Sequence, residues 1–434
     1  MKKVISKNDV FYFSLAILTF LIWLSKDLSP ILAFIIFPLL FLYFLIQQDI
    51  KKLIGLILFA NMAISVKTDI FKLEYILILF LLGYILLNII KEKTIVIGQV
   101  LVPLIIYFFY NVLSLIWTPV LLDGYKGLVG ILEGYLVYFI ITNSKLKLDK
   151  NDFNTFSKVA SFLLFTLSLE IFVVYCENGI MNVLTEKDYI HLGWSFSNLL
   201  AVIYVFLIPI MLMKYREFCE HKWFIPIDVI AIIGLFLTLS RGAYLGVAVS
   251  LVILIILRRK EFLKLGAFLM IVAIITIILL KVFDNNILSR IIERLFSESG
   301  RLELYELAWK TFLERPIIGQ GIKSSKYLIR EILDSPSIYY HNFILQILAS
   351  LGIIGFLIFA FIVRGWVKVL FTKDAFVNFA LASIVGALTH QLFDVSFDLH
   401  FFGVYFYLII GISEIYKHYH GQKLISEYNW VEID

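Results

Sequence analysis

The chain has 434 residues, of which 61% are hydrophobic and 16% charged, with 40 Phe and 23 Tyr. Soluble proteins average about 45–50% apolar and about 25% charged residues, so this composition excludes an ordinary soluble domain. The net charge of +5 does not imply nucleic acid, because membrane chains collect Lys and Arg in cytoplasmic loops for topological reasons. Two cysteines, Cys176 and Cys219, are too few for a disulfide framework or a thiolate metal site.

In chain order, apolar stretches occupy Phe11 to Ser25, Pro30 to Ile46, Leu53 to Ser65, Tyr75 to Ile90, Ile95 to Trp117 and Gly127 to Thr142. Eight more follow: Lys158 to Tyr175, Ser195 to Met213, Phe224 to Leu239, Gly242 to Leu257, Leu263 to Phe283, Asn342 to Val363, Ala375 to Phe393 and Phe401 to Tyr416. Most have the length, roughly 16 to 23 residues, that crosses a bilayer core. With the N-terminus inside, the predicted inner loops hold pairs and triplets such as Lys51 and Lys52, Lys91 and Lys93, and Lys145, Lys147 and Lys150, whereas the short outer ones hold only Lys26, Lys67, Lys72, Lys126, Lys187 and Arg241. That is the inside-positive pattern. It faces Cys176 outward and Cys219 inward. The Lys-rich start lacks a small-residue cleavage site and reads as a retained first helix.

The fold class predicted is all-α, a polytopic membrane protein with about 12–14 transmembrane helices forming one integral membrane domain over residues 1–434. Leu53 to Ser65 is short and is open to a re-entrant reading. No repeat relates the two halves, which counts modestly against transport. One segment outside the spans is large: residues 284–340, on the outer side. Within it Leu302, Tyr305, Trp309, Phe312 and Leu313 recur at helical spacing and stop before Pro316, and Ile287 to Phe296 also reads as helical. The segment is expected to form a helical cap on the outer membrane face.

Several residues carry candidate chemistry. Arg241, in Ser240-Arg241-Gly242, sits where the chain turns between two spans, as a phosphate ligand or as an interfacial arginine reaching lipid. Arg301 opens the amphipathic helix, where the dipole disfavours a cation. There it either grips an anion together with free backbone N–H groups or pairs in water with Glu303 or Glu306. His341, at the head of the next span, is a proton acceptor near neutral pH or a member of an aromatic belt. Glycines Gly319, Gly321, Gly352 and Gly355 flank it, for turns or for close packing. Glu133, Glu170, Asp228, Asn198, His390 and Gln391 fall inside spans, where polar groups are functional candidates. Asp394, Asp398 and His400 gather outside with no spacing that demands a metal.

Together Leu239-Ser240-Arg241-Gly242-Ala243, Ser299-Gly300-Arg301-Leu302-Glu303-Leu304-Tyr305, Arg315-Pro316-Ile317-Ile318-Gly319-Gln320-Gly321 and His341-Asn342-Phe343, with an upstream Ser197-Asn198-Leu199-Leu200-Ala201, resemble the O-antigen ligase and polymerase superfamily. These are the Wzy and WaaL type integral membrane glycosyltransferases. The resemblance implies a donor glycan on undecaprenyl diphosphate, a glycan acceptor, and metal-independent, inverting transfer at the outer face of the plasma (inner) membrane, with no cofactor. It implies that Arg241 and Arg301 bind and neutralise the leaving diphosphate, that His341 orients or deprotonates the acceptor hydroxyl, and that Asn342, Asn198 and Arg315 contribute to substrate binding. The family often carries Trp at the position of Tyr305. Polymerisation of lipid-linked repeat units, with a polysaccharide chain-length regulator as a partner, is the reading favoured by fourteen stretches. Ligation to a terminal acceptor is the alternative. A flippase or other transporter is the reading from a different class, and it has no need of Arg301 or His341.

Overall fold

The computed structural model describes residues 6–66, 72–217, 222–258, 300–372, 374–397, 400–420 and 430–432. The expected span Leu263 to Phe283, the helix Ile287 to Phe296, the outer segment up to Ser299, and Cys219 and Asp398 lie outside these residues. Apart from two short strands, the described chain is helices, turns and connecting loops. Among the described residues seven helices are long and apolar enough to cross a membrane, and four more are apolar with 10–17 residues. The protein is an all-α, multi-pass membrane protein.

The helices fall into two compact units. The first contains α1 (Lys7–Leu24), α2 (Ser29–Ile46), α3 (Ile50–Ala60), α7 (Lys150–Asn178), α8 (Ile180–Thr185), α9 (Ser197–Leu212), α10 (Ile225–Leu237) and α11 (Arg241–Leu257). α7 is its centre and packs against α1, α9 and α10. Its start is fixed by a capping box in which Asp149 and Asp152 exchange side-chain and backbone bonds. Every residue of α9 but Asn198 is buried. Its polar neighbours are paired: Lys214, fully buried, reaches Asp228 at 2.6 Å, and Tyr215 donates to the same carboxylate at 2.5 Å. Glu170 accepts from the Trp194 indole at 3.2 Å. Removing one partner from such a buried pair costs about 3–5 kcal/mol, so these span residues serve the packing of the unit. The short stretch Leu53 to Ser65 yields an 11-residue helix, α3. At 1.5 Å per residue it is about 16 Å long, roughly half a bilayer core.

The second unit holds most of α4 (Leu73–Glu92), then α5 (Leu101–Ser114), α6 (Leu121–Asn143), α12 (Arg301–Glu314), α13 (Ser324–Leu333), α14 (Phe343–Leu370), most of α15 (Ala375–Gln391) and α16 (His400–His420). β1 (Thr94–Val96) pairs antiparallel with β2 (Trp430–Glu432). Strand residues thus take up the start of the predicted span Ile95 to Trp117, which becomes helical only from Leu101. α6 and α16 touch backbone to backbone: a Cβ on Gly134 would lie 2.8 Å from the Gly403 Cα. Glu414 of α16 accepts from the Tyr138 hydroxyl at 2.5 Å and from the Gln99 N–H at 2.6 Å.

α14 is broken at Gly352, whose φ of 65° and ψ of −167° free its neighbours' backbone groups. The segment after α12 takes them up. Gln320 and Gly321 donate to the carbonyls of Ala349 and Ser350 at 3.0 and 2.8 Å, and Ile353 and Ile354 donate to those of Pro316 and Ile317 at 2.9 and 3.2 Å. The glycines are therefore needed for close packing: a Cβ on Gly352 would meet the Ile317 carbonyl oxygen at 2.3 Å, and one on Gly319 the Ser350 carbonyl carbon at 2.4 Å. This clasp ties the far end of α12 to the span that begins beside His341.

Candidate active site

α12 begins at Arg301, as expected, after Gly300 in the left-handed conformation (φ 63°). The stripe that docks it differs from the predicted one. Leu304, Leu307, Ala308 and Thr311 face the core, packed with Ile329, Tyr340 and Ala349, whereas Leu302, Trp309 and Leu313 are 74%, 48% and 57% exposed. Small Ala308 and Thr311 let α14 approach, and the bulkier stripe is left outside. Tyr340 seals the contact, donating to Thr311 at 3.4 Å. Burial, with Glu314 adding and Thr311 opposing, pushes its hydroxyl up to about 12.

The core contact sets His341 one residue before the cap of α14. Asn342 is that cap: its Oδ1 accepts from the N–H groups of Ile344 and Leu345 at 3.0 and 3.1 Å, and its amide donates to the Leu392 carbonyl at 3.3 Å. Its side chain is thus committed to holding the helix start against the loop after α15. His341 takes the left-handed conformation, φ 55°, unusual for a residue with a Cβ and a mark of a site held by its surroundings. Its Nδ1 lies 3.1 Å from Asp394 Oδ1 and its Nε2 3.1 Å from Ser337 Oγ. His341 is 25% exposed at the side chain and Asp394 8%. Burial alone would raise the Asp394 carboxyl, but the hydrogen bond from His341 and the charges of His341, His390 and Arg301 outweigh it and hold the group below the usual carboxylate range. Asp394 is therefore an anion at neutral pH.

Tyr305, one turn beyond Arg301, points its hydroxyl at the carbonyls of His341 and Leu392, both at 3.4 Å. Burial pushes that hydroxyl up, Arg301 opposes and Asp394 adds. Arg301 is half-buried beside this group, and among the described residues no carboxylate pairs with it within ion-pair distance. Arg301, Tyr305, His341 and Asp394 thus converge from α12, the head of α14 and the loop after α15. A cavity of about 80 Å³, lined by none of these four residues, is walled by Phe343, Phe397, Tyr135 and Tyr407, with Lys323 and Gln346 among its polar lining.

The remaining predicted residues lie elsewhere. Arg315 is exposed at the opposite end of α12 from Arg301, about 20 Å away at 1.5 Å per residue. Arg241 and Asn198 belong to the first unit. Arg241 opens α11 after a break between helices that runs through Leu239 in the left-handed conformation (φ 55°). Asn198 sits in the first turn of α9, and its neighbour Ser197 donates to the Thr238 carbonyl at 2.6 Å, which stitches the Asn198 segment to the Arg241 turn. Sequence reasoning missed the pairing of Asp394 with His341, the placement of Ser337, and the bridging by Tyr305. The expected grouping of Asp394 with Asp398 and His400 lies partly outside the described residues.

Residues 226–360 match the family described as O-antigen ligase. Similar curated proteins include a "Putative polysaccharide ligase" of Rickettsia conorii, 24% identical over 262 residues that make up 55% of this chain and 62% of that one. The "O-antigen ligase" of Salmonella typhimurium is 27% identical over 266 residues, 56% of this chain and 63% of that one. The chain spans a little under two thirds of the length of the curated relatives it matches. Arg241, Arg301, Arg315, His341 and Asn342 fall inside the matched family segment, and Asn198 and Asp394 outside it. By this match and these relatives, the part of the chain around residues 226–360 is similar to the O-antigen ligase family.

Proposed function

We propose that the protein transfers a glycan from a polyprenyl diphosphate to an acceptor hydroxyl at the outer face of the plasma membrane. The observation that carries this reading is the His341 and Asp394 pair lying beside Arg301, a cation without a carboxylate partner among the described residues. Asp394 accepts a hydrogen bond from Nδ1–H and so leaves Nε2 as the base, the division of labour that an orienting carboxylate imposes on a catalytic histidine. Arg301, at the N-terminus of α12 with unpaired backbone N–H groups, receives the diphosphate, whose charge grows as the glycosidic bond breaks. Arg241 is assigned to phosphate binding on the resemblance alone. Inversion follows if the acceptor oxygen attacks opposite the leaving diphosphate, with no covalent enzyme intermediate.

The names of both relatives and of the family favour ligation to a terminal acceptor. Polymerisation of repeat units is the second reading, supported by the fourteen apolar stretches, and a chain-length regulator is a partner only in that case. The size distribution of surface and lipid-linked glycan in a deletion strain decides between them. Long chains stranded on lipid diphosphate mean a ligase, a ladder collapsed to one repeat unit means a polymerase, and units trapped on the inner face would overturn both.

A further inference from the structure

Neutral imidazole donates from one nitrogen and accepts at the other. With Nδ1–H directed at the ionised Asp394, the accepting atom of His341 is Nε2, the atom a substrate hydroxyl must reach. That place is occupied. Ser337 Oγ stands 3.1 Å from Nε2 and, at the same time, 3.1 Å from the Tyr339 carbonyl oxygen. A single hydroxyl hydrogen has two acceptors and serves one at a time.

We propose that Ser337 is the stand-in for the acceptor hydroxyl, holding His341 Nε2 in the resting enzyme and yielding it when the acceptor enters. This rests on the reading of His341 as the base. The surroundings suit a residue that moves. Tyr340 is buried, Tyr339 is held by the Lys323 ammonium at 2.7 Å and the Ile338 carbonyl by the Ser325 hydroxyl at 2.9 Å. Upstream, Pro336 is exposed and Asp334 turns the chain at φ 48°, so residues 334–337 shift about a fixed anchor. When the acceptor takes over Nε2, Ser337 turns its hydrogen to the Tyr339 carbonyl and loses little. The acceptor oxygen then bonds to the anomeric carbon, the bond from that carbon to the diphosphate oxygen breaks with its electron pair leaving on the diphosphate, and the acceptor's proton passes to Nε2. The imidazolium so formed is matched by Asp394. Ser337 is a positioning residue: its hydroxyl forms no bond to the sugar.

The test uses diethyl pyrocarbonate, which acylates accessible imidazole nitrogen, on the full chain in lipid nanodiscs, with His341 followed by peptide mass spectrometry. Removing the covering hydroxyl in Ser337→Ala is expected to speed acylation of His341 by about threefold to tenfold, the worth of one ordinary hydrogen bond, while Ser337→Thr keeps the native rate. An unchanged rate in Ser337→Ala overturns the proposal. Ser337→Gly deletes the same hydroxyl and substitutes if the alanine variant does not accumulate. In membranes supplied with the source cell's own lipid-linked glycan, Ser337→Ala should lower the acceptor KM by a similar factor with kcat unchanged. A collapse of kcat, or a glycan found on Ser337, overturns it in favour of a structural or nucleophilic serine. If His341→Ala still transfers glycan the proposed base falls, whereas the acylation rates still report whether Ser337 covers Nε2.

Discussion

At the scale of single residues, the site's chemistry follows from Asp394 being an anion. Its carboxyl is held low in the folded protein, so its contribution to stability is present above the ordinary carboxylate range near 4 and is lost as pH falls through the lower folded value. Asp394→Asn should therefore unfold at a lower temperature than the native protein at pH 6, and the gap should narrow as the pH is brought from about 5 towards 3. A constant gap would mean that the pair with His341 contributes nothing. The same variant should slow transfer by about 10²-fold or more, because an amide no longer stabilises the imidazolium. Arg301→Lys keeps the charge but loses the planar fork that grips two phosphate oxygens, and should lower kcat/KM about tenfold to a hundredfold, with Arg301→Ala lower still. Arg301 and His341 were legible in the sequence because each breaks a local rule, a cation at a helix start and an imidazole at the head of an apolar span. Asp394 was not, since 53 positions separate it from His341 and nothing in its own neighbourhood distinguishes it from a loop carboxylate. Ser337, in a short polar stretch, carried no signal.

At the scale of elements, α12 and the broken helix α14 show what periodicity conveys and what it leaves out. Helical spacing marked α12 and its end before Pro316 correctly, but its sequence offers two apolar stripes, and only contact with α14 decides which is buried. The bulky stripe of Leu302, Trp309 and Leu313 remains outside and suits the headgroup and acyl boundary of a bilayer. Trp309 should therefore be quenched by lipids brominated near the headgroup, and the quenchable fluorescence of the protein should fall in Trp309→Phe. Equal quenching in both would place this face away from lipid. The glycines of the clasp were visible as a group, yet their purpose required the partner strand of backbone. Gly352→Ala must bear a left-handed φ, about 1–3 kcal/mol, and a collision with the Ile317 carbonyl, about 1–3 kcal/mol more. Gly300→Ala has a similar φ but nothing within 4 Å of its Cβ, and should cost only about 1–2 kcal/mol. Thermal midpoints of the detergent-solubilised variants should rank in that order, and equal midpoints would show that the clasp is not needed.

At the scale of the whole molecule, hydropathy sufficed for an all-α, multi-pass fold, because a bilayer leaves helices as the way to satisfy backbone groups across an apolar run. The division into two units was not legible, for it rests on contacts between distant positions, such as Tyr138 with Glu414 across 276 residues. Orientation, by contrast, is a statement about charge that the sequence makes directly. If the N-terminus is inside, as the charge pattern leads one to expect, Lys51 and Lys52 in the first turn of α3 and Lys91 and Lys93 at the end of α4 would lie in the cytoplasm, and the end of α7 and the segment between α12 and α14 would lie outside. Cys176 is exposed and forms no disulfide, so it should react with a membrane-impermeant maleimide in intact cells. A cysteine introduced at the exposed position Glu331 of α13 in a Cys176→Ser background should react likewise, whereas Cys219 should react only after the membrane is opened. Labelling of Glu331→Cys only in opened cells would put His341 and Arg301 on the cytoplasmic side, where a donor delivered to the outer leaflet does not reach them. Glycan transfer by this site would then have to use lipid-linked donors on the inner leaflet. Labelling of both outer positions from outside fixes the side on which the diphosphate must arrive, and with it the leaflet from which the acceptor is drawn.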